Sequence, residues 1–417
     1  MKILWITNIV FPEALGRISS TGDLKGGGGW LLAAADGLLK IPGIELAVAC
    51  PSVYVDRYTV IRGKDIGYYI FPKGAGLKYN RSYESYWLKI KEDFKPDIVH
   101  IHGSEYSHGL AYVRACGSRN VVVSIQGLVS VYARYFKAGL TAGDILGNLT
   151  FRDLLKGSLF HDERMFFKRG KLEEELLRKV DHVIGRTDWD RDHVLAINPR
   201  VEYHFCNESL RGAFYEDSWA RNHCVDHSIF CSQATYPIKG FHELLKAFPL
   251  ILRDYPDSRI RVAGGGQVYG QSFLARLKRT GYSRYIDRLM TRLQLRDKVQ
   301  FLGPLTAEQM KQEYLSANVF VCPSSIENSP NSLGEAQVLG VPVVASYVGG
   351  VPDMMAGAED CMYRFGEVEM LAAKVCDVFR GRYDMESSVV KDRARIRHDL
   401  ELNTRQLTAI YESIVSR

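Results

Sequence analysis

Apolar positions along the chain alternate between two kinds of segment. Short unbroken runs rich in Val, Ile and aromatic residues, bounded by turn residues, read as strands buried on both faces. They fall at 2–8, 44–50, 96–103, 121–125, 183–187, 228–231, 260–263, 299–304, 319–322 and 342–345. Between them lie longer stretches with apolar residues at helical spacing: 30–39, 83–94, 110–116, 170–179, 188–196, 240–252, 307–316, 330–339 and 368–380. A last helical region, 391–415, has Ile396, Leu400, Leu407, Ile410 and Ile414 on its apolar positions. Residues 58–71 hold two apolar patches around Arg62-Gly63-Lys64-Asp65, the pattern of a hairpin. Strand and helix alternating in this way predict parallel sheets with right-handed crossovers, built twice. Residues 198–227 are irregular and mixed in charge, and mark the passage between two domains.

Composition narrows the class. The chain has 417 residues, enough for two domains, with 46% hydrophobic and 24% charged residues, as in ordinary globular proteins. No apolar run reaches the roughly 18 residues a membrane span needs. The opening MKILWITNIVFPEALG reads as a first strand rather than a signal peptide. A net charge of +6 does not demand nucleic acid, and none is expected as a partner; it does permit contact with an anionic surface. The eight Cys are scattered without a C-x-x-C, which predicts reduced thiols and a cytoplasmic enzyme. His223-Cys224-x-x-His227 lacks a second ligand pair, so no metal is expected there.

The most informative stretch is VFVCPSSIENSPNSLGEAQVLGVPVVASYVGGVPDM, residues 319–354. It reads as strand, loop, helix, strand. A helix beginning with Pro330 as its first residue, capped by Asn328 or Ser329 and stopped by Gly340, would leave the N–H groups of Asn331, Ser332 and Leu333 unpaired. Such a helix mouth at the carboxyl end of a parallel sheet suits a phosphate. Glu327 in the loop can reach hydroxyls, and Glu335 one turn into the helix can accept two, as a ribose diol offers.

Glu-x7-Glu after a strand, with Asn-Ser-Pro-Asn-Ser before the helix and Gly-Val-Pro-Val-Val-Ala after it, resembles the retaining nucleotide-sugar glycosyltransferases of the GT-B fold, family 4. The resemblance covers nearly all of the second domain and the first more loosely. It implies two Rossmann-like parallel-sheet domains facing across a cleft. Residues 1–205 would be the acceptor-binding domain, completed by a C-terminal helix at about 398–417; 206–225 would be a linker, and 226–397 the nucleotide-sugar-binding domain. The implied reaction moves a sugar, with retention, from a nucleoside-diphosphate sugar, foremost a UDP-sugar, to a hydroxyl acceptor. The implied acceptor is a glycan or lipid-linked glycan of cell-envelope or capsular polysaccharide synthesis. No metal or other cofactor is implied.

Residue roles follow from the same resemblance. Glu327 would bind donor-sugar hydroxyls, and Lys239, in Tyr236-Pro237-Ile238-Lys239-Gly240, would neutralise the departing diphosphate together with the Asn331, Ser332 and Leu333 amides. Glu335 would hold the ribose. Gly28 and Gly29, in the run Gly26-Gly27-Gly28-Gly29, would close over the donor, and Gly265, in Gly264-Gly265-Gly266, would lie beside the nucleotide. His102 ends a strand, where it either hydrogen-bonds substrate or satisfies loop backbone. Two positions depart from the family. Gln126 stands where many relatives have His, and it cannot titrate. Gln233 is nearest to the place of an upstream Arg. These departures keep open a nucleotide-sugar epimerase of the same fold and a non-catalytic binding subunit. Asp188-Trp189-Asp190 matches a metal-binding Asp-x-Asp literally but sits at a predicted helix start, where acids suit the dipole. Residues 132–169 mix basic and aromatic side chains, which suits amphipathic helices with solvated charges, or peripheral contact with an inner membrane surface.

Overall fold

The computed structural model describes residues 1–19, 28–74, 79–264, 269 and 278–417, without the side chains of 384–387. Among these, the chain divides into two compact units. The first comprises Met1–Val131, Phe166–Arg211 and Arg397–Arg417; the second comprises Tyr132–Met165 and Gly212–Ile396.

The short apolar runs of the first unit form β1 (Lys2–Ile6), β2 (Glu45–Ser52), β3 (Thr59–Arg62), β4 (Ile66–Pro72), β5 (Ile98–His102), β6 (Val121–Ser124), β7 (His182–Gly185) and β8 (Glu202–Phe205). They make one sheet in the order β3-β4-β2-β1-β5-β6-β7-β8. All neighbours are parallel except β3 and β4, the expected hairpin. β8 lies in the stretch read as irregular. Its sequence EYHF is only partly buried, so it carries no apolar run to announce it.

The helix Leu400–Val415 belongs to the first unit. Leu407, Ile410, Tyr411 and Ile414 join Ile3, Trp5, Leu31 and Ile184 in one buried cluster. A buried polar chain runs through it. Trp5 Nε1 donates to Tyr411 Oη at 3.0 Å, so the Tyr411 proton is directed to His100 Nδ1 at 2.5 Å. His100 is then protonated on Nε2, which meets Ser124 Oγ.

The second unit holds β9 (Ser228–Cys231), β10 (Arg259–Ala263), β11 (Val299–Gly303), β12 (Val319–Cys322), β13 (Val343–Ser346) and β14 (Met362–Tyr363). The order is β11-β10-β9-β12-β13-β14, all parallel. β9 and β12 are fully buried, as strands covered on both faces must be. Helices Phe241–Asp254, Ala307–Ser316, Asn331–Leu339 and Val368–Phe379 supply the connections. In each sheet the strand order reverses once in the middle, between β1 and β5 and between β9 and β12. These are the points where open α/β sheets offer a ligand crevice.

Residues 132–165, which the sequence reading counted with the first domain, cluster with the second unit. Helix Leu159–Lys179 begins well before the expected 170–179. No helix among the described residues is long and apolar enough to cross a membrane.

Candidate active site

The β9/β12 switch point gathers the side chains of the candidate site. Beyond β9 run Ser232 and Gln233; beyond β12 run Pro323 and Ser324. A pocket there is lined by these residues together with Lys239, Glu327 and Ser332. Two glycines bring the polar groups together. Gly240, at φ +67°, lies so close to the loop after β12 that a Cβ would overlap the Pro323 carbonyl. Ser325 N–H donates to Ile238 O at 2.7 Å, pinning the Lys239 turn to that loop. Gly349, at φ +53°, abuts the Glu327 carbonyl in the same manner, and Gly350 N–H donates to that oxygen at 3.0 Å. Glu327 is thus held by its backbone on one side and its carboxylate on the other.

That carboxylate is buried and accepts from Lys239 Nζ at 2.6 Å and from Ser324 Oγ at 2.8 Å, both on Oε1. Burial alone would lower the Lys239 ammonium, but Glu327 beside it carries the pKa above the ordinary lysine value. Lys239 therefore stays charged at neutral pH. Burial also raises the two thiols of the pocket, Cys231 to about 11 and Cys322 to about 12, so both remain protonated and inert as nucleophiles.

The helix mouth differs in detail from the expectation. Pro330 is the N-cap, not the first helical residue, because ψ 122° holds it outside the helix Asn331–Leu339. Neither Asn328 nor Ser329 occupies the cap position, and no side chain caps it. The Leu333 N–H, expected to be unpaired, bonds to Pro330 O at 3.0 Å. The amides of Asn331 and Ser332 have no hydrogen-bond partner among the described residues and are the ones left for an anion. Gly340 ends the helix as expected. Glu335 is buried one turn in, 3.5 Å from Tyr314 Oη, and is not among the residues lining the pocket. Gln233 lines the pocket and donates to Thr235 Oγ1 at 2.8 Å, so Lys239 is the cation of the described lining. Gly265 lies outside the described residues, as do Gly26 and Gly27.

In the first unit, Gly28 is the N-cap of helix Gly29–Leu39. His102 ends β5, buried against Trp5, with its ring tilted against that of His100 at a centroid separation of 3.7 Å. Neither of its ring nitrogens has a hydrogen-bond partner among the described residues. Burial, then the neighbouring His100, keeps its pKa well below the ordinary value, so it is a neutral imidazole. It lines a second pocket with Trp30, Ser124, Arg186 and Glu208. Gln126 stands at the edge of this region with its side chain committed. Its Nε2 donates to Glu208 Oε1 at 2.6 Å, while Arg186 Nη1 donates to Glu208 Oε2 at 2.5 Å and Arg186 Nη2 to Ile125 O at 2.9 Å. Arg186 and Glu208 were not singled out in the sequence; a basic residue closing an apolar strand just before the Thr187 cap was the available signal. Asp190 is buried, bonded to Tyr203 and to the Arg186 N–H, and Thr187 caps its helix, in line with the helix-start reading of Asp188-Trp189-Asp190.

Gly240→Ala is expected to destabilise the second unit by more than about 3 kcal/mol, combining left-handed strain with a backbone clash. Urea denaturation measures it.

Residues 226–380 match the family described as glycosyl transferases group 1, and residues 26–203 match Glycosyltransferase Family 4. The chain belongs to these glycosyltransferases, and its two parallel-sheet domains are those of the GT-B fold. Similar sequences include the GDP-mannose-dependent monoacylated alpha-(1-6)-phosphatidylinositol monomannoside mannosyltransferase of Corynebacterium glutamicum, 28% identical over 34% of this chain and 35% of that protein. Another is the D-inositol 3-phosphate glycosyltransferase of Corynebacterium urealyticum, 28% identical over 42% of this chain and 41% of that protein. The chain thus spans well under half the length of these curated relatives. Among solved structures, sucrose-phosphate synthase from Thermosynechococcus elongatus superposes with a TM-score of 0.72 at 16% identity, covering 100% of this chain and 99% of that one. Anabaena Alr3699/HepE in complex with UDP-glucose gives 0.67 at 15% identity, covering 99% and 100%.

Proposed function

We propose that this chain is a retaining glycosyltransferase that moves a sugar from a nucleoside-diphosphate sugar to a hydroxyl of a glycan or lipid-linked glycan in cell-envelope or capsular polysaccharide synthesis. The observation that carries it is the pairing of Lys239 with Glu327 beside the open amides of Asn331 and Ser332. A cation, two N–H groups unpaired among the described residues and a hydrogen-bond-accepting acid lie at one switch point. The amides and Lys239 hold the diphosphate; Glu327 accepts from the sugar hydroxyls; Glu335 takes the ribose. The bond from the anomeric carbon to the diphosphate oxygen breaks as the acceptor oxygen bonds on the same face. The acceptor proton passes to the leaving phosphate oxygen, so Gln126 need not titrate. The neutral His102 offers a hydrogen bond to an acceptor hydroxyl.

A UDP-sugar is the donor favoured here, because the Anabaena neighbour is solved with UDP-glucose; the GDP-mannose dependence of the Corynebacterium relative makes GDP-sugars the control. The test is a panel of both kinds scored by melting shift, followed by nucleotide release with and without glycan acceptors. Release that requires acceptor, and is lost in Glu327→Gln with the fold intact, is the expected result. A donor isomerised without acceptor would mark an epimerase. Donor binding without any turnover would mark a binding subunit.

A further inference from the structure

The short helix Phe151–Lys156 turns its apolar face to solvent. Phe151, Leu154 and Leu155 stand at i, i+3 and i+4, on one side, and are 68%, 74% and 70% exposed. Leu146, at the end of the preceding helix Ala142–Leu146, adds a fourth exposed apolar side chain. A soluble helix ordinarily does the reverse.

This outward face is built. Thr141 with Asp144, and Thr150 with Asp153, close complete capping boxes at the two helices. Asp153 is buried on the inner side. The polar edges are fastened to helix Gly281–Arg292 and the turn before it: Arg284 Nη1 donates to Leu149 O at 2.7 Å, Arg288 Nη1 to Gly147 O at 2.7 Å, and Thr150 Oγ1 to Arg279 O at 3.0 Å. The scaffold therefore fixes the helices while leaving their apolar side chains uncovered.

The surroundings are basic. Lys156, Lys278, Arg288 and Arg292 are exposed, and Arg152 is partly so. Asp144 and Asp153 are engaged in the caps, and Asp287 is paired with Arg279 and Arg296. The exposed acid nearby is Asp162, whose charge is felt by Arg152.

We propose that the 142–156 helix pair of the second unit is a membrane-docking tip, its four apolar side chains entering the interfacial layer of a bilayer while the surrounding cations meet anionic lipid headgroups. Charge decides against a second copy of the chain, since a symmetric contact would set this basic rim against itself. The inference does not depend on the transferase reading.

The test is flotation of the full chain with vesicles of phosphatidylcholine alone and of phosphatidylcholine mixed with phosphatidylglycerol. Binding to the mixed vesicles, weakened by salt, is expected. Leu154→Asp/Leu155→Asp should lower it about tenfold or more, and Lys156→Glu by less. Both sites are exposed, so an unchanged melting temperature and circular dichroism should accompany the loss. Wild-type chain that ignores both vesicles overturns the proposal, as does a double variant that binds as well as wild type. Self-association in sedimentation equilibrium that the double variant abolishes, without vesicle binding, would make the patch a protein interface and equally overturn it.

Discussion

Lys239→Ala is expected to slow sugar transfer by about a hundred- to a thousand-fold, the cost of losing one preorganised charge at a site where charge develops. It should also destabilise the second unit by about 1–3 kcal/mol. The buried Glu327 would keep Ser324 but lose its counter-ion. Loss of a fully buried pair costs more, but Lys239 remains 32% exposed and water can partly replace it. The double variant Lys239→Ala/Glu327→Ala should recover some of this stability, because no orphaned carboxylate remains. Its activity should be no lower than that of the worse single variant, since the two side chains act as one unit. Urea melts and initial rates on the four proteins of the cycle measure both. Additive rate losses would mean that the pair is not the functional unit.

Acid should unfold the first unit well before the second. Four buried histidines belong to the first unit. Burial holds His100 and His108 at about 3 and His398 at about 4, and His102 well below its ordinary value. The second unit has His242, lowered to about 4 chiefly by burial. Each titrates near 6.5 when unfolded, so below that pH the unfolded chain binds more protons than the native one. The stability is complete above pH 6.5 and is lost as pH falls toward the native values. Four such groups cost up to about 5 kcal/mol between pH 7 and 5.5, against about 1 kcal/mol for one, and the first unit's Glu105, Glu173 and Glu208, raised by burial, offset part of that loss by taking up protons in the native state. Tryptophan fluorescence during acid titration would follow the first unit through Trp5, Trp30, Trp87 and Trp189. His108→Gln should shift its acid midpoint downward. Coincident loss of both units at a midpoint below 4 would contradict this.

The strand and helix periods made most of the architecture legible, because parallel strands buried on both faces leave long apolar runs that few other arrangements produce. β8 escaped because an edge strand half open to water has no such run. Glu327 and Lys239 could each be picked out beside a turn, but not their ion pair, which needs Gly240 and Gly349 to press two distant loops together. The helix mouth was found at the right residues and misassigned by one position, because proline's fixed φ suits both the cap and the first turn. Gln126 stood out in the sequence, but its joining with Arg186 and Glu208 did not, since the three come from the ends of separate segments that share no pattern. The outward helix Phe151–Lys156 was masked by its neighbours: basic and aromatic side chains intermix in sequence, and only their placement separates a docking face from a core.

The path of the backbone through the two units constrains how the molecule can be made. The polypeptide passes from one to the other four times, after residues 131, 165, 211 and 396. On the ribosome, β1 is synthesised early, yet the Tyr411 that accepts from Trp5 emerges only after the whole second sheet. The earlier-made half must therefore wait, with an apolar flank unfilled, for the later half to finish. A nascent chain stalled near residue 396 should bind chaperones through that flank, and cleavage between residues 211 and 212 would release fragments of which neither carries a whole unit.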